Sequence, residues 1–151
     1  MIKFSDITAI DAANKARAWI EQFYTLGDDD QLIQPDIEII RTAAIDAVQQ
    51  WRGDQRAKMG LSSAQWQDLA YAGKAAHCRA WISDQSQPFG MQREAQVRGL
   101  SNLQMAQLII GQNDLWLDAN DQIDSAYTAA RGAIEAANTV EEIEAVLAGL
   151  Q

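Results

Sequence analysis

The sequence predicts an all-α protein: a helical bundle with one long coiled-coil-like helix and a C-terminal helical hairpin. Apolar residues recur every three or four positions along nearly all of its 151 residues, which is the period of an amphipathic helix. Good helix formers fill the chain, while β-branched residues are sparse and do not alternate with polar residues. Helix-capping patterns occur at three places, and no segment indicates a strand.

The first helix is expected from about Ser5 or Asp6 to Leu26, with apolar residues recurring along one face. Gly27 follows it and is expected to adopt the left-handed conformation that commonly ends a helix. Three consecutive aspartates at positions 28–30 then predict a solvated connection.

The second and third helices each have a recognisable start. Pro35 fits the first turn of the second helix, where its missing N–H has no intrahelical partner to lose, and Gly60 closes that segment. Ser62 and Gln65 form a capping box for the third helix, which should end near Asp84. The expected apolar stripe of the third helix is Trp66, Ala70, Gly73, His77 and Trp81.

The longest helix is expected from Asn102 to about Ala137. A short basic segment, residues 93–98, precedes it and is expected to be helical, and Ser101 with Gln104 repeats the capping box. Apolar residues at seven-residue intervals predict a coiled-coil-like face along this helix. These residues are Ile109, Trp116, Ile123, Ala130 and Ala137.

A third capping box, Thr139 with Glu142, predicts a last helix directly after the long one. Because the connection is short, the two helices are expected to be antiparallel neighbours in a hairpin. The last helix would then pack on Tyr127 and Ile134. The residues expected to do so are Ile143, Val146, Leu147 and Leu150.

Length and charge limit the kind of protein this can be. The length suits one helical domain, residues 1–151, with a possible subdivision into N-terminal helices (1–60) and a second helical region (61–151). Twelve basic against 21 acidic residues give a formal net charge of −9, which opposes binding to nucleic acid or to anionic membranes. The first residues contain no apolar segment of a signal peptide, so we expect a soluble protein.

No catalytic motif emerges from the sequence. His77 and Cys78 are adjacent, but consecutive helix residues point about 100° apart, so the imidazole does not face the thiol. The acidic segment 118–124 lacks the glycine and the glutamate of a calcium loop. Phosphate-binding, zinc and serine-hydrolase patterns do not occur. We therefore expect no catalytic residue, no cofactor and no metal, and a protein that is not an enzyme.

Two tryptophans mark candidate contact surfaces, because apolar neighbours beside them extend the apolar arc further around the helix than one core contact requires. Trp81 is followed by an isoleucine, and Trp116 lies between two leucines. Two residues of the last helix are added, in case that helix docks on a partner. The candidate partner-binding residues are Trp81, Ile82, Leu115, Trp116, Leu117, Ile143 and Leu147.

Several stretches between about residues 65 and 148 resemble a known group of proteins in their order along the chain. They are Lys74–Asp84 (KAAHCRAWISD), Pro88-Phe89, Gln96–Ser101 (QVRGLS), Leu108–Gly111 (LIIG) and Ile134–Ala145 (IEAANTVEEIEA). This order resembles small helical proteins of tailed bacteriophages, commonly encoded among tail and tail-fibre genes. In such proteins a helix ends in an Ala-Ala pair, turns at a threonine and restarts with paired acids.

The resemblance implies a bacteriophage structural or virion-associated protein of the tail, baseplate or fibre region that acts through protein–protein contacts. Its implied partners are other phage structural proteins, in a homo-oligomer or a larger assembly, with no nucleic acid and no membrane. The implied location is the virion tail. A tail-fibre or tail assembly chaperone, which would stay in the host cytoplasm, is the alternative. Two further hypotheses are an acidic anti-defence inhibitor of a host nuclease complex and an unrecognised enzyme.

Overall fold

A computed structural model describes the backbone of residues 12–59 and 65–150 and the side chains of residues 12–59 and 70–150. In these residues the chain is mostly α-helical, as predicted, with six helices and one small antiparallel sheet. The elements, in chain order, are α1 (Ala12–Glu21), β1 (Thr25–Leu26), β2 (Leu32–Ile33), α2 (Ile37–Lys58), α3 (Gln65–Ser83), α4 (Gln92–Val97), α5 (Asn102–Ala136) and α6 (Val140–Gly149).

The sheet is a β-hairpin that the sequence did not predict. It pairs Leu26 with Leu32 in the segment that was expected to be the end of α1 and the connection after it. The predicted left-handed stop at Gly27 is wrong; Asp30 has the left-handed conformation, with φ of 57°. The Gly27 N–H donates to the Gln31 carbonyl at 2.8 Å, which leaves residues 28–30 as a three-residue hairpin loop. Such a loop commonly needs a left-handed residue at its end, and aspartate tolerates that conformation better than most residues. The expected start of the first helix lies outside the described residues.

Two of the three capping boxes are present in the described residues. The Ser101 hydroxyl accepts from the Gln104 N–H at 3.1 Å, and the Gln104 side chain accepts from the Ser101 N–H at 2.9 Å. Thr139 and Glu142 make the same reciprocal pair at the start of α6. These contacts are local, so the residue pattern suffices to predict them. The box expected at Ser62 lies outside the described residues.

The chain divides into two compact units, and the first combines both ends of the sequence. It comprises Met1–Lys58 and Gln122–Gln151, and in it α6 packs against α1 and α2. Tyr127 packs against the same cluster of apolar residues that α6 helps to form. The helices that pack most extensively on α6 are α1 and α2. The predicted hairpin with α5 is not confirmed, although Ile134 of α5 lies in the same core as Ile143 of α6. The core of this first unit contains six large side chains that are at most 2% exposed: Ile20, Ile40, Val48, Ile134, Ile143 and Leu147.

The second unit, Met59–Asp121, has its own, smaller apolar core. Among the described residues, the apolar side chains buried in this core are Ala75, Cys78, Phe89, Ala95, Met105, Ala106 and Ile109. Of the expected stripe of α3, Trp81 packs against this core, whereas Ala70, Gly73 and His77 are exposed. Alanine and glycine occur on every side of this helix, so its sequence does not favour one buried face.

The seven-residue ladder of α5 is divided between the two cores. Ile109 belongs to the core of the second unit, whereas Ile123, Ala130 and Ala137 belong to the core of the first. Trp116, between them, is half-buried. The ladder residues therefore pack in two separate apolar clusters. A single partner helix along the whole of α5 is not needed to bury them. In the described part of the chain, every helix is too short or too polar to span a bilayer.

Candidate interaction surface

The candidate surface lies on α5 around Trp116. Leu115 is 73% exposed and Leu117 is 48% exposed, while Trp116 between them is half-buried. Consecutive helix residues are separated by about 100°, so the two leucines point to opposite flanks of the helix. Both leucines therefore leave apolar surface in solvent, on two different sides of α5.

Each flank continues along the helix at seven-residue intervals. Leu108, 37% exposed, precedes Leu115 by seven residues and lies on its flank. On the other flank, Leu103 is exposed and Ile110 is partly buried against the core of the second unit, and both align with Leu117. Each flank thus has more than one apolar residue, as a helix that contacts a partner requires.

Trp81 and Ile82 lie partly buried against the core of the second unit. Both pack against its core, and the Trp81 ring lies 4.7 Å from the ring of Phe89. The Trp81 indole N–H donates to the Gln87 carbonyl at 3.0 Å. Because the indole already has a ring partner and a hydrogen-bond acceptor, this pair offers less free surface to a partner than the α5 leucines do.

Ile143 and Leu147 are unsuitable as contact residues in this fold. Both are 0% exposed and lie in the core of the first unit. The apolar face of α6 is covered by α1 and α2, so a partner would have to displace those helices to reach it. The placement of these two residues on a partner surface is therefore corrected: their apolar side chains stabilise the fold.

His77 and Cys78 point in different directions and have different partners. His77 is exposed, and its Nε2 accepts a hydrogen bond of 3.2 Å from the Gly90 N–H. Cys78 is fully buried, and burial raises the pKa of its thiol. A buried thiol with a raised pKa has little thiolate at neutral pH, so this cysteine is a poor nucleophile.

Two of the other ionisable groups with shifted pKa values, Arg52 and Asp84, take part in hydrogen bonds within the chain. The Arg52 side chain donates to Asp124 at 2.6 Å and lies 4.9 Å from the Tyr127 ring centre, and the hydrogen bond to Asp124 raises the pKa of Arg52. Hydrogen bonds from Ser86 lower the pKa of the exposed Asp84. Among the described residues, no three His, Cys, Asp or Glu side chains are placed to hold a metal ion.

Sequence reasoning missed several exposed apolar residues. Tyr71 and Val97 are exposed in the second unit, and Leu26 and Leu32 form an exposed cross-strand pair in the hairpin. Leu108 could have been predicted as part of the candidate surface, because it precedes Leu115 by one seven-residue interval. The hairpin pair had none, since the segment was interpreted as helix.

Comparison with known proteins adds no relative. No family model matches the chain, and no curated protein or solved structure matches it significantly. The fold and the surface therefore define a class only: a mostly α-helical protein with exposed apolar side chains on both flanks of its longest helix.

Proposed function

We propose that this protein is a bacteriophage structural or virion-associated protein of the tail, baseplate or fibre region, acting through protein–protein contacts. The observation that carries the proposal is the exposure of Leu115 and Leu117 on opposite flanks of α5. The biological setting is taken from the motif order between about residues 65 and 148, which resembles that of small helical tail proteins.

The two leucines supply a driving force for assembly. Fully burying an exposed leucine side chain contributes roughly 1.5–3 kcal/mol, so the two leucines supply part of the free energy that offsets the loss of translational and rotational freedom on association. Opposite flanks can contact two different neighbours at once, which suits a subunit inside a larger assembly. The net charge of −9 favours neighbours whose contact surface is apolar with a basic rim.

The ion pairs weigh against mimicry of DNA by an acidic inhibitor. Such mimicry needs carboxylates that are free to replace phosphates along one face. Several carboxylates are instead paired with arginines within the chain, as Glu144 is with Arg17 and Asp114 is with Arg79. Because each pair neutralises a carboxylate, these acids cannot all serve as phosphate substitutes.

Mass spectrometry of purified particles of the encoding phage tests the proposal. The wild-type protein is expected in the particles at a fixed copy number per tail. Leu117→Glu should lower that copy number while leaving the circular dichroism spectrum unchanged, because the side chain is exposed. Gln107→Glu is the matched control, since it adds the same charge at an exposed position of α5 without removing an apolar contact.

Two outcomes would contradict a virion role. If the protein is absent from particles but tails fail to form without it, it is an assembly chaperone. If it is absent and tails form normally, the proposed function is wrong. Equal incorporation of the Leu117→Glu and wild-type proteins would remove this flank of α5 from the contact surface.

A further inference from the structure

The connection between α3 and α4, residues 84–91, runs back along α3, and we call it the α3 strap. The Trp81 indole N–H donates to the Gln87 carbonyl at 3.0 Å. His77, one helical turn earlier, accepts at Nε2 from the Gly90 N–H at 3.2 Å. Two side chains on the same side of α3 therefore hold two successive parts of the strap.

Phe89 is the residue of the strap that reaches the core of the second unit. Its side chain is 4% exposed, and its ring centre lies 4.7 Å from that of Trp81 and 6.4 Å from that of His77. The neighbouring Gly90 lies directly against the imidazole, since a Cβ atom built on it would be 3.0 Å from Nε2. The contact between His77 and Gly90 thus secures the strap beside the residue that covers the core.

We propose that the α3 strap is a pH-sensitive cover of this core, which neutral His77 holds in place and which loosens at residues 88–91 when the imidazole takes up a proton. The inference concerns the isolated chain, so it does not depend on the proposed role in phage particles.

Protonation reverses the role of the Nε2 atom in this contact. A neutral imidazole that accepts at Nε2 carries its proton on Nδ1, whereas the imidazolium has an N–H at both positions and no acceptor. Its Nε2–H would face the Gly90 N–H, which is also a donor. The bond is therefore complete where the imidazole is neutral, and it is lost as the pH falls through about 6.5, where imidazoles ordinarily titrate.

The first half of the strap keeps its contacts over the same pH range. The Asp84 carboxylate accepts from the Ser86 N–H at 3.0 Å, and hydrogen bonds from Ser86 lower the pKa of Asp84. This carboxylate therefore stays ionised at about pH 5.5. The Trp81 indole N–H is a donor at any pH in this range. Acid thus loosens the strap at its Gly90 end, while residues 84–87 stay attached to α3.

His77 is the only histidine of the chain, so the charged groups around it are of other types. Ion pairs join α3 to its neighbours, as Lys74 pairs with Glu94 of α4 at 3.5 Å. Cys78 stays a neutral thiol, because burial raises its pKa. Carboxylates, amines and guanidinium groups ordinarily keep their charge between about pH 5.5 and pH 7.5, so the imidazole is the group that changes charge here. The charged residues at positions 70–114 are Lys74, Arg79, Asp84, Arg93, Glu94, Arg98 and Asp114.

Hydrogen exchange of the Gly90 amide, measured by NMR and divided by the intrinsic exchange rate at each pH, tests the strap. The protection factor of the wild-type protein is expected to fall about threefold or more between about pH 7.5 and about pH 5.5, the size of effect that the loss of one hydrogen bond produces. His77→Gln is the matched control, because its side-chain oxygen can accept from Gly90 and does not titrate. His77→Ala removes the acceptor at every pH. Neither variant should show the pH dependence, and the alanine variant should have the lower protection at both pH values.

The ring nitrogens of His77 provide a readout that does not depend on amide exchange. At about pH 7.5 their NMR shifts should place the proton on Nδ1, as an accepting Nε2 requires. A proton on Nε2 at this pH would overturn the proposal. Equal protection of the wild-type Gly90 amide at the two pH values would overturn it as well, and so would a fall in the His77→Gln variant as large as that in the wild type.

Discussion

The guanidinium of Arg41 donates a hydrogen bond of 2.6 Å from Nη2 to the carbonyl oxygen of Ala137. Its Nε donates to the Ile134 carbonyl at 3.3 Å. These carbonyls belong to the last turn of α5 and the residue after it, where the regular helix donors end. The Ile134 carbonyl also accepts from the Ala137 N–H at 3.3 Å. One side chain of α2 thus caps the end of α5 just before α6 begins. It also places a positive charge at the negative end of the helix dipole.

Arg41→Met is expected to lower the free energy of unfolding by about 2 kcal/mol, because two part-buried carbonyls lose a charged donor. Arg41→Lys should recover part of that loss, since an ammonium cannot reproduce the planar two-donor geometry. Arg131→Met is the control, because Arg131 is an exposed helix residue that pairs with Glu135, and its loss should change stability much less than the loss of Arg41. Urea unfolding followed by circular dichroism measures all three; equal effects of the two methionine variants would contradict the capping role.

Because Asp30 has a left-handed backbone, glycine substitutions at positions 30 and 28 are expected to change stability in opposite directions. Asp30→Gly should raise the free energy of unfolding by about 0.5–1 kcal/mol, since glycine adopts this conformation without steric strain. Asp28→Gly removes the same charge from the same loop, at a residue with negative φ. It should lower stability by about 0.5 kcal/mol through the entropy of the unfolded chain. Thermal melting of both variants gives the comparison, and a shift of the same sign in both would argue against the hairpin geometry.

The buried Cys78 gives a pH-dependent prediction. Burial raises the pKa of its thiol, so the folded state keeps the proton at a pH where the unfolded chain releases it. The stability that this provides is complete below about pH 8.5, the pKa of a free thiol, and is lost as the pH rises through the folded-state pKa. Unfolding of the wild-type protein and of Cys78→Ala, measured between about pH 7 and 10.5, should show a steeper alkaline loss for the wild type.

Thiol labelling checks the same group independently. The native protein should react slowly with a thiol reagent at neutral pH, and the urea-unfolded protein should react quickly. Fast labelling of the folded protein would show that Cys78 is accessible.

The burial of Ile143 predicts a large effect of a charged substitution. Ile143→Asp should lower the free energy of unfolding by about 4 kcal/mol, because a carboxylate would replace an apolar side chain with no exposed surface. Ile39→Asp is the same change at an exposed position of α2, and it should alter stability by less than about 0.5 kcal/mol. Urea unfolding of the two variants separates core packing from a docking role, since a docking residue would leave the isolated protein as stable as the control.

The candidate surface was only partly predictable from the sequence. The width of the apolar arc around Trp116 indicated that Leu115 and Leu117 would extend beyond a single core contact, and both are exposed. The same reasoning could not exclude Ile143 and Leu147, because an apolar helix face looks identical in the sequence whether a partner or the same chain covers it. The tertiary structure shows that α1 and α2 cover that face.

The sequence by itself determined the mostly helical class and the capping boxes that begin α5 and α6, but not the buried face of α3. These features depend on residues within one or two helical turns, so their pattern is readable without knowledge of the fold. Only the tertiary structure decided the hairpin in which Leu26 pairs with Leu32, the division of the α5 ladder between two cores, and the packing of α6 on α1. The division of the ladder and the packing of α6 depend on contacts between distant segments, whose packing free energy outweighs purely local preferences. The hairpin pairs residues only six to eight positions apart, and the sequence pattern did not predict it because its turn was interpreted as the end of a helix.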